Sequence, residues 1–540
     1  MMQFDFLIVG AGSAGCVLAS RLSENGRFSV LVLEAGGTDH RFWIQAPIGY
    51  GKTFHDPSVN WRYTTEPDEG LGGRRSYWPR GKVMGGSSSI NAMVYIRGQH
   101  ADYDDWLAMG NPGWGWDDVL PYFRRAETNA RGGDRWRGDS GPLYVDDVSA
   151  SYHPLNRCFI DTAVACGLKA NPDFNGADQE GVGLYQITAR GGRRMSAARA
   201  YLRPAMKRPN VTVLTRAHVT RILFDGTRAT GVEFLHRGGT RAAAAGREVV
   251  LCGGAINTPQ LLQLSGIGPE TLLSEHGIVP VRVNEAVGRN LQDHLTITHY
   301  YRSRVPTINN RLSPWWGKLL EGARYVFLRR GQLSIGINQA GGFFRSDPAR
   351  PRPNLQLYFC ALTYTEAPPG IRPMMRPDPF AAFQSGVSQC RPASRGRLGI
   401  VSRDPLAPVR IEPNYLSAPE DLEEMLEGVR FLRHLAGTSP LREVIEREYQ
   451  PGPGTDGDEE LLADIRARAD TVFHPTSTCT MGPDPSRSVV DHRLRVHGLH
   501  GLRVADASVF PTVTSGNTNA PAIMLGEKAA DIVLEDAGNR

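Results

Sequence analysis

The feature that most constrains this chain is a glycine-rich turn set between two short apolar runs near its start. Phe4-Asp-Phe-Leu-Ile-Val9 reads as a buried parallel strand, and Gly10-Ala-Gly12-Ser13-Ala14-Gly15 follows it directly. A helical pattern begins at Cys16, and a second apolar run, Val30 to Leu33, ends on Glu34. This is a βαβ unit whose glycines permit the tight turn and bring a helix N-terminus up to a pyrophosphate. Glu34 stands nineteen residues after Gly15, where its carboxylate accepts hydrogen bonds from a ribose diol. The unit predicts dinucleotide binding.

Two distant segments read as further strands of the same sheet. Glu248-Val-Val-Leu-Cys-Gly-Gly254 ends in glycines, and Gly501-Leu-Arg-Val-Ala-Asp506 ends in an acid before Ala507. More than two hundred residues separate them, so a second domain is expected to be inserted in pieces, which favours FAD over NAD. A length of 540 residues fits two or three domains. Between the outer strands, Arg80-Gly-Lys-Val-Met-Gly-Gly-Ser-Ser-Ser-Ile-Asn-Ala-Met-Val-Tyr-Ile-Arg97 carries Gly85, Gly86, Ser87 and Ser88. Their N–H groups and hydroxyls suit phosphate or flavin-edge oxygens, or form a plain Gly/Ser loop. Val211-Thr-Val-Leu opens a strand toward Val219, and a helix is predicted to start at Pro259 and stop near Gly266.

The sequence just quoted is identified as a member of the glucose–methanol–choline oxidoreductases, most like the choline-dehydrogenase-type alcohol dehydrogenases. The resemblance runs nearly end to end: the Gly10–Gly15 unit, residues 80–97, 254–268, Val287-Gly-Arg-Asn-Leu-Gln-Asp-His294 and the block from His474 to Lys528. It implies a Rossmann-like α/β FAD-binding domain over 1–155, 210–295 and 470–540. An inserted α+β substrate domain built on an antiparallel sheet takes 156–209 and 296–469. It implies FAD contacts from Gly10, Gly12, Ser13, Ala14, Gly15, Glu34 and Ala35. Arg80, Gly81, Val83, Gly85, Gly86, Ser87, Ser88, Asn91, Ala92, Met93 and Val94 add a second set. Val219, Gly254, Asp506, Ala507, Asn517 and Thr518 complete it. Some relatives bond the flavin through a histidine; the matching residue here is Ile90, so non-covalent FAD is expected.

The same resemblance assigns the chemistry to the C-terminal block. In Phe473-His-Pro-Thr-Ser-Thr-Cys-Thr-Met-Gly482 the catalytic histidine position is His474. The second catalytic position, His in some relatives and Asn in others, falls on Asn517 and not Asn519. Alcohol oxidation needs the hydroxyl proton removed as hydride leaves carbon, and an imidazole does this near neutral pH. An amide donor steadies the alkoxide while FAD takes the hydride. The expected partners are a small alcohol and an electron acceptor, either a quinone, a dye-like carrier or oxygen. The rivals are an oxidase making hydrogen peroxide and a redox-silent cyanohydrin lyase of the same fold.

Other functions find little support. The net charge of +5 is spread along the chain and argues against nucleic acid. Seven cysteines without CxxC, and no HExxH, argue against a metal site and for reduced thiols. Asp491-His492, His497 and His500 lack a cysteine partner, and Asp293-His294 reads as structural. With no leader and no long apolar run, cytoplasmic residence is expected. A helix over 313–330 carries Trp315, Trp316, Lys318, Arg324, Arg329 and Arg330. It suits either a membrane surface or inward packing of its aromatics in the substrate domain; inward packing is the preferred expectation.

Overall fold

The computed structural model describes residues 2–147, 149, 151–364 and 376–538. Strand Met2–Val9 lies at the centre of one sheet, pairing in parallel with Val30–Glu34 on one side and Gly239–Leu251 on the other. Val211–Thr215 extends the sheet beyond Val30–Glu34. On the far side Arg228–His236 and Ala217–Asp225 add antiparallel strands, while Leu502–Val504 pairs in parallel with the end of Gly239–Leu251. Every residue of Val30–Glu34 is buried, which explains its unbroken apolar run.

Two strands differ from expectation. The run from Glu248 forms the end of a thirteen-residue strand, buried over Val249–Leu251, whose first half, Gly239–Gly246, consists of small residues apart from Thr240 and Arg241 and pairs with an antiparallel neighbour. The strand opening at Val211 breaks at Arg216, whose φ of +55° turns the chain before Ala217. Helix Ser13–Leu22 packs against helix Asn519–Asp536 closely enough that a Cβ on Gly526 would sit 3.0 Å from Ala14 Cα. Beside that contact the buried Glu527 carboxylate is bound by both Arg21 and Arg125 at 2.8 Å, so its charge is compensated.

A second sheet is antiparallel throughout. Its order is Ile445–Gln450, Leu295–Ser303, Ala382–Gln389, Leu355–Cys360, Ala340–Phe344 and Gly181–Leu184, with Asp470–Thr471 also on Leu295–Ser303. Helix Pro419–Gly437 covers one face, where Gly428 lets its backbone approach Val387. The other face looks toward the first sheet. Among the described residues no helix is long and apolar enough to cross a membrane.

The helix Trp315–Leu328 forms after Pro314 as expected, but it packs the opposite way round. Gly317, Glu321 and Tyr325, spaced at i, i+4 and i+8, face the protein, whereas Trp315 is 76% exposed and Phe327 82%. Its aromatics other than Tyr325 therefore point outward.

The helix expected from Pro259 instead runs Gly254–Leu264, with the proline inside it. Pro259 has no N–H for the Ala255 carbonyl four residues back. Thr478 Oγ1 donates to that oxygen at 2.7 Å, which satisfies it and ties the helix to the loop carrying His474. Thr478→Val should leave a buried carbonyl unpaired and cost about 1–3 kcal/mol in chemical denaturation of the protein. Pro259→Ala in the same chain should recover most of the loss by restoring the missing donor; no recovery would place the cost elsewhere.

Candidate active site

A cavity of about 680 Å³ is lined by residues of both sheets and runs from the glycine turn to the C-terminal block. At one end lie Gly10, Gly12, Ser13 and Ala14, with Glu34 and Ala35 closing the second strand. Gly10 has φ +102°, and a Cβ there would lie 2.5 Å from Cys252 O, so the turn nests against the end of strand Gly239–Leu251. The Glu34 carboxylate accepts the Ala11 and Gly36 N–H groups at 2.9 and 2.7 Å. Burial pushes its pKa up to about 7 despite those two donors. Each oxygen keeps a lone pair for a further donor.

Arg80, Gly81, Gly86 and Ser87 cross this end of the cavity, and Asn91, Ala92, Met93 and Val94 continue along its wall. Gly86 has φ +53°, and a Cβ on it would stand 2.8 Å from Gly12 Cα. Val219, Gly254, Asp506, Ala507 and Thr518 also face the cavity. Four expected contacts do not. Gly15 is packed on Gly10 O, where a Cβ would be 2.0 Å away. Val83 is buried, Gly85 turns the chain at φ +89°, and the Ser88 hydroxyl donates to Gly85 O. These four shape the wall from behind. Helix N–H groups, a Ser hydroxyl and a buried carboxylate in one long cavity fit the pyrophosphate and ribose of a dinucleotide. Ile90 also lines it and is aliphatic.

At the other end stands His474. Phe473 has φ +70° and its carbonyl accepts from Arg80 Nη2 at 2.6 Å, while the His474 N–H donates to Asp293 Oδ1 at 2.7 Å. The backbone is thus pinned on both sides of the ring. His294 Nε2 lies 2.9 Å from the Cys390 carbonyl oxygen, which can only accept, so Nε2 carries the hydrogen. His294 Nδ1, 2.9 Å from His474 Nδ1, is then the acceptor, and His474 Nδ1 donates. His474 Nε2 carries no hydrogen, and its lone pair accepts from Asn517 Nδ2 at 3.1 Å. Burial holds His474 well below the usual imidazole range, helped by the neighbouring His294 and Arg80. Burial likewise takes His294 down to about 4, so both rings are neutral at pH 7.

Asn517 rather than Asn519 reaches His474. Asn519 Oδ1 instead accepts from Ser13 Oγ at 2.8 Å, at the glycine turn. His294 and Asp293, read from sequence as structural, are the groups that orient His474. Only the fold reveals this, because 180 residues separate the two histidines.

The antiparallel sheet supplies the wall opposite. Alternate residues Thr296, Thr298 and Tyr300 face the cavity, as do Tyr358 with Cys360 and Gln384 with Gly386. Gly386 pairs with both Thr298 and Tyr358, and a Cβ there would lie 2.9 Å from Thr298 Oγ1, so the glycine makes room for the threonine hydroxyl on this wall. The carboxylate on this side, Asp470, is engaged by Ser76 Oγ and the Thr471 N–H.

Comparison with known proteins agrees with this geometry. Family models described as GMC oxidoreductase match residues 4–296 and 392–526. The chain is 42% identical to an alcohol dehydrogenase [acceptor] of Pseudomonas putida, covering 98% of this chain and 96% of that one. It is 41% identical to an oxygen-dependent choline dehydrogenase of Vibrio vulnificus, over 98% and 94%. Pyridoxine 4-oxidase from Mesorbium loti superposes with a TM-score of 0.88 at 32% identity, over 98% of each chain.

The contact between Gly86 and Gly12 generates a test. Gly86→Ala should push the two turns apart and also strain a left-handed residue. Flavin retained per chain after gel filtration should drop clearly below that of the unaltered protein, with the far-ultraviolet circular dichroism unchanged; full retention would show that the turns give way without cost.

Proposed function

The chain belongs to the GMC oxidoreductase family, an FAD-dependent oxidoreductase acting on CH–OH donors, and we propose that His474 is the base that starts its reaction. One observation carries the proposal: in the line Asn517–His474–His294 the unprotonated His474 Nε2 and the Asn517 amide meet at the cavity. When bound, FAD supplies the hydride acceptor. The substrate hydroxyl enters between Asn517 and His474, donating its hydrogen to Nε2 while its oxygen accepts from Asn517 Nδ2. Nε2 takes the proton as the C–H bond breaks, and the amide stabilises the alkoxide by about 2–4 kcal/mol. His294 Nδ1 accepts from His474 Nδ1–H, which steadies the imidazolium and keeps its proton-accepting nitrogen toward the cavity.

The same reading divides the chain as FAD-binding domain 1–155, 210–295 and 470–540, with substrate domain 156–209 and 296–469. FAD is held non-covalently, since Ile90 offers no heteroatom. A carrier such as a quinone is preferred over oxygen as acceptor, on the likeness to the acceptor-linked alcohol dehydrogenase. Reoxidation rates with a soluble quinone and with air separate the two. Seven unbridged thiols suit cytoplasmic residence.

The substrate we infer is a neutral alcohol with an apolar body. Asp470 has internal partners, and the nearby Arg468 contributes positive charge, itself bound to Asp464 and Thr298 O. A quaternary ammonium would meet no unpaired carboxylate among the described residues of this wall. Anaerobic flavin bleaching should be faster with neutral primary alcohols than with choline at equal concentration. Gly386→Leu should displace the Thr298 hydroxyl, crowd the wall and cut kcat/KM for bulky alcohols about tenfold more than for ethanol. Choline bleaching fastest would overturn the substrate assignment and leave the base assignment standing; no bleaching with any alcohol would favour the lyase.

The base assignment has its own test. His474→Ala should retain FAD and slow flavin reduction by ~10²–10⁴ without slowing reoxidation by a dye. Asn517→Ala should slow the same half-reaction less, and the two losses should not add. His294→Phe should slow reduction about 10–100-fold by freeing the His474 tautomer. Because burial depresses the His474 pKa below 6.5, kcat/KM should stay level from pH 6.5 upward and fall only at lower pH, as the ring gains a proton. An acid limb centred above pH 6.5 would identify another base.

A further inference from the structure

The helix Trp315–Leu328 turns its least apolar stripe toward the protein. Gly317 is small because the backbone approaches Arg311 O, where a Cβ would lie 2.0 Å away. Glu321 accepts the Gln332 N–H at 2.9 Å and faces Arg311 and Arg324 at 3.8 and 3.9 Å. Tyr325 meets the Phe42 ring edge-on at 5.9 Å. The outward face holds Trp315, Trp316, Leu319, Leu320, Phe327 and Leu328, all more than half exposed. Phe42 and Trp43 extend it, at 46% and 39% exposure. Leaving this much contiguous apolar surface in water is costly, so it marks an interaction face.

The charges beside it have one sign. Residues 313–334 contain Lys318, Arg324, Arg329 and Arg330 against a single acid, Glu321, which is buried and already paired. Lys52 lies over the Trp43 ring at 5.8 Å, and residues 40–55 contain no acid, while the flanking Asp39 and Asp56 are paired with Arg203 and Arg41. A twofold contact between copies of this chain would set the patch against itself and bring like charges together. A polar protein partner would leave the leucines uncovered. An anionic bilayer surface satisfies both features: tryptophan and leucine enter the headgroup boundary while lysine and arginine meet lipid phosphates.

We propose that Trp315–Leu328, with Phe42 and Trp43, docks this enzyme in the plane of an anionic lipid surface without crossing it. The fold links the patch to the site. Its two segments continue directly into the cavity wall, through Tyr50 and Phe54 on one side and Ile337 on the other. Docking goes beyond the proposed reaction and does not depend on His474, so the test reads binding and not turnover.

Flotation of the flavin-bound protein measures it, using vesicles of phosphatidylglycerol and phosphatidylcholine in equal parts, and of phosphatidylcholine alone. The protein should float with the mixed vesicles, at least tenfold less with phosphatidylcholine, and less in high salt. Trp316→Ser with Phe327→Ser should abolish flotation while activity with a soluble dye is kept. Should that variant fold poorly, Lys318→Glu with Arg330→Glu alters only exposed charges and should reduce binding to mixed vesicles about tenfold or more. Absence of flotation on either vesicle, or flotation unchanged in the charge-reversed variant, would overturn the proposal. A dimer in solution that dissociates on Trp316→Ser with Phe327→Ser would overturn it in favour of a second copy.

Discussion

The site rests on the hydrogen bond from His474 Nδ1 to His294 Nδ1. Two neutral imidazoles joined nitrogen to nitrogen require one donor and one acceptor, and the Cys390 carbonyl decides which is which. That carbonyl takes the only hydrogen His294 has, so the hydrogen between the rings belongs to His474. The consequence reaches the cavity, where His474 presents a lone pair and Asn517 supplies the opposing donor. Burial reinforces the arrangement by keeping both rings neutral. On the proposed role of His474 as base, a ring held neutral at pH 7 by burial can accept the substrate proton and gives it up readily afterwards.

Such precision needs support from distant parts of the chain, and this explains the discontinuous fold. The His474 backbone is held by Asp293, which precedes the strand Leu295–Ser303 of the antiparallel sheet, and by Arg80 from the segment that crosses the glycine turn. Thr478 joins the same loop to helix Gly254–Leu264, which follows strand Gly239–Leu251 of the first sheet. The loop is therefore the seam between a sheet that presents a cofactor-sized cavity and a sheet that shapes the substrate wall. Gly386, between Thr298 and Tyr358, leaves room there for the Thr298 hydroxyl. Neither sheet alone contains the chemistry.

The parts legible in the sequence were those encoded within a short window. Gly10 to Gly15 sits between two buried strands, and its strand–turn–helix order follows from local sterics and apolar runs. His474 and Asn517 lay in motifs, and the cavity contains both. What escaped was set by tertiary contacts. Pro259 signals a helix start only if no distant hydroxyl replaces its missing hydrogen bond, and Thr478 does so. Trp315 and Trp316 signal core only if the apolar face of their helix turns inward, whereas Gly317, Glu321 and Tyr325 occupy that side. Gly15, Val83, Gly85 and Ser88 share motifs with residues that face the cavity yet stand behind them, because neighbouring residues in a tight turn point different ways. His294 looked structural because its partner is 180 residues away.

The direction of a single hydrogen carries the account, and neutron diffraction from crystals of the flavin-bound protein grown near pH 7 observes it directly. The expected map shows a deuteron on His474 Nδ1 pointing at His294 Nδ1, one on His294 Nε2 pointing at the Cys390 carbonyl, and none on His474 Nε2. A deuteron on His474 Nε2, alone or together with one on Nδ1, would contradict the assignment of His474 as the waiting base.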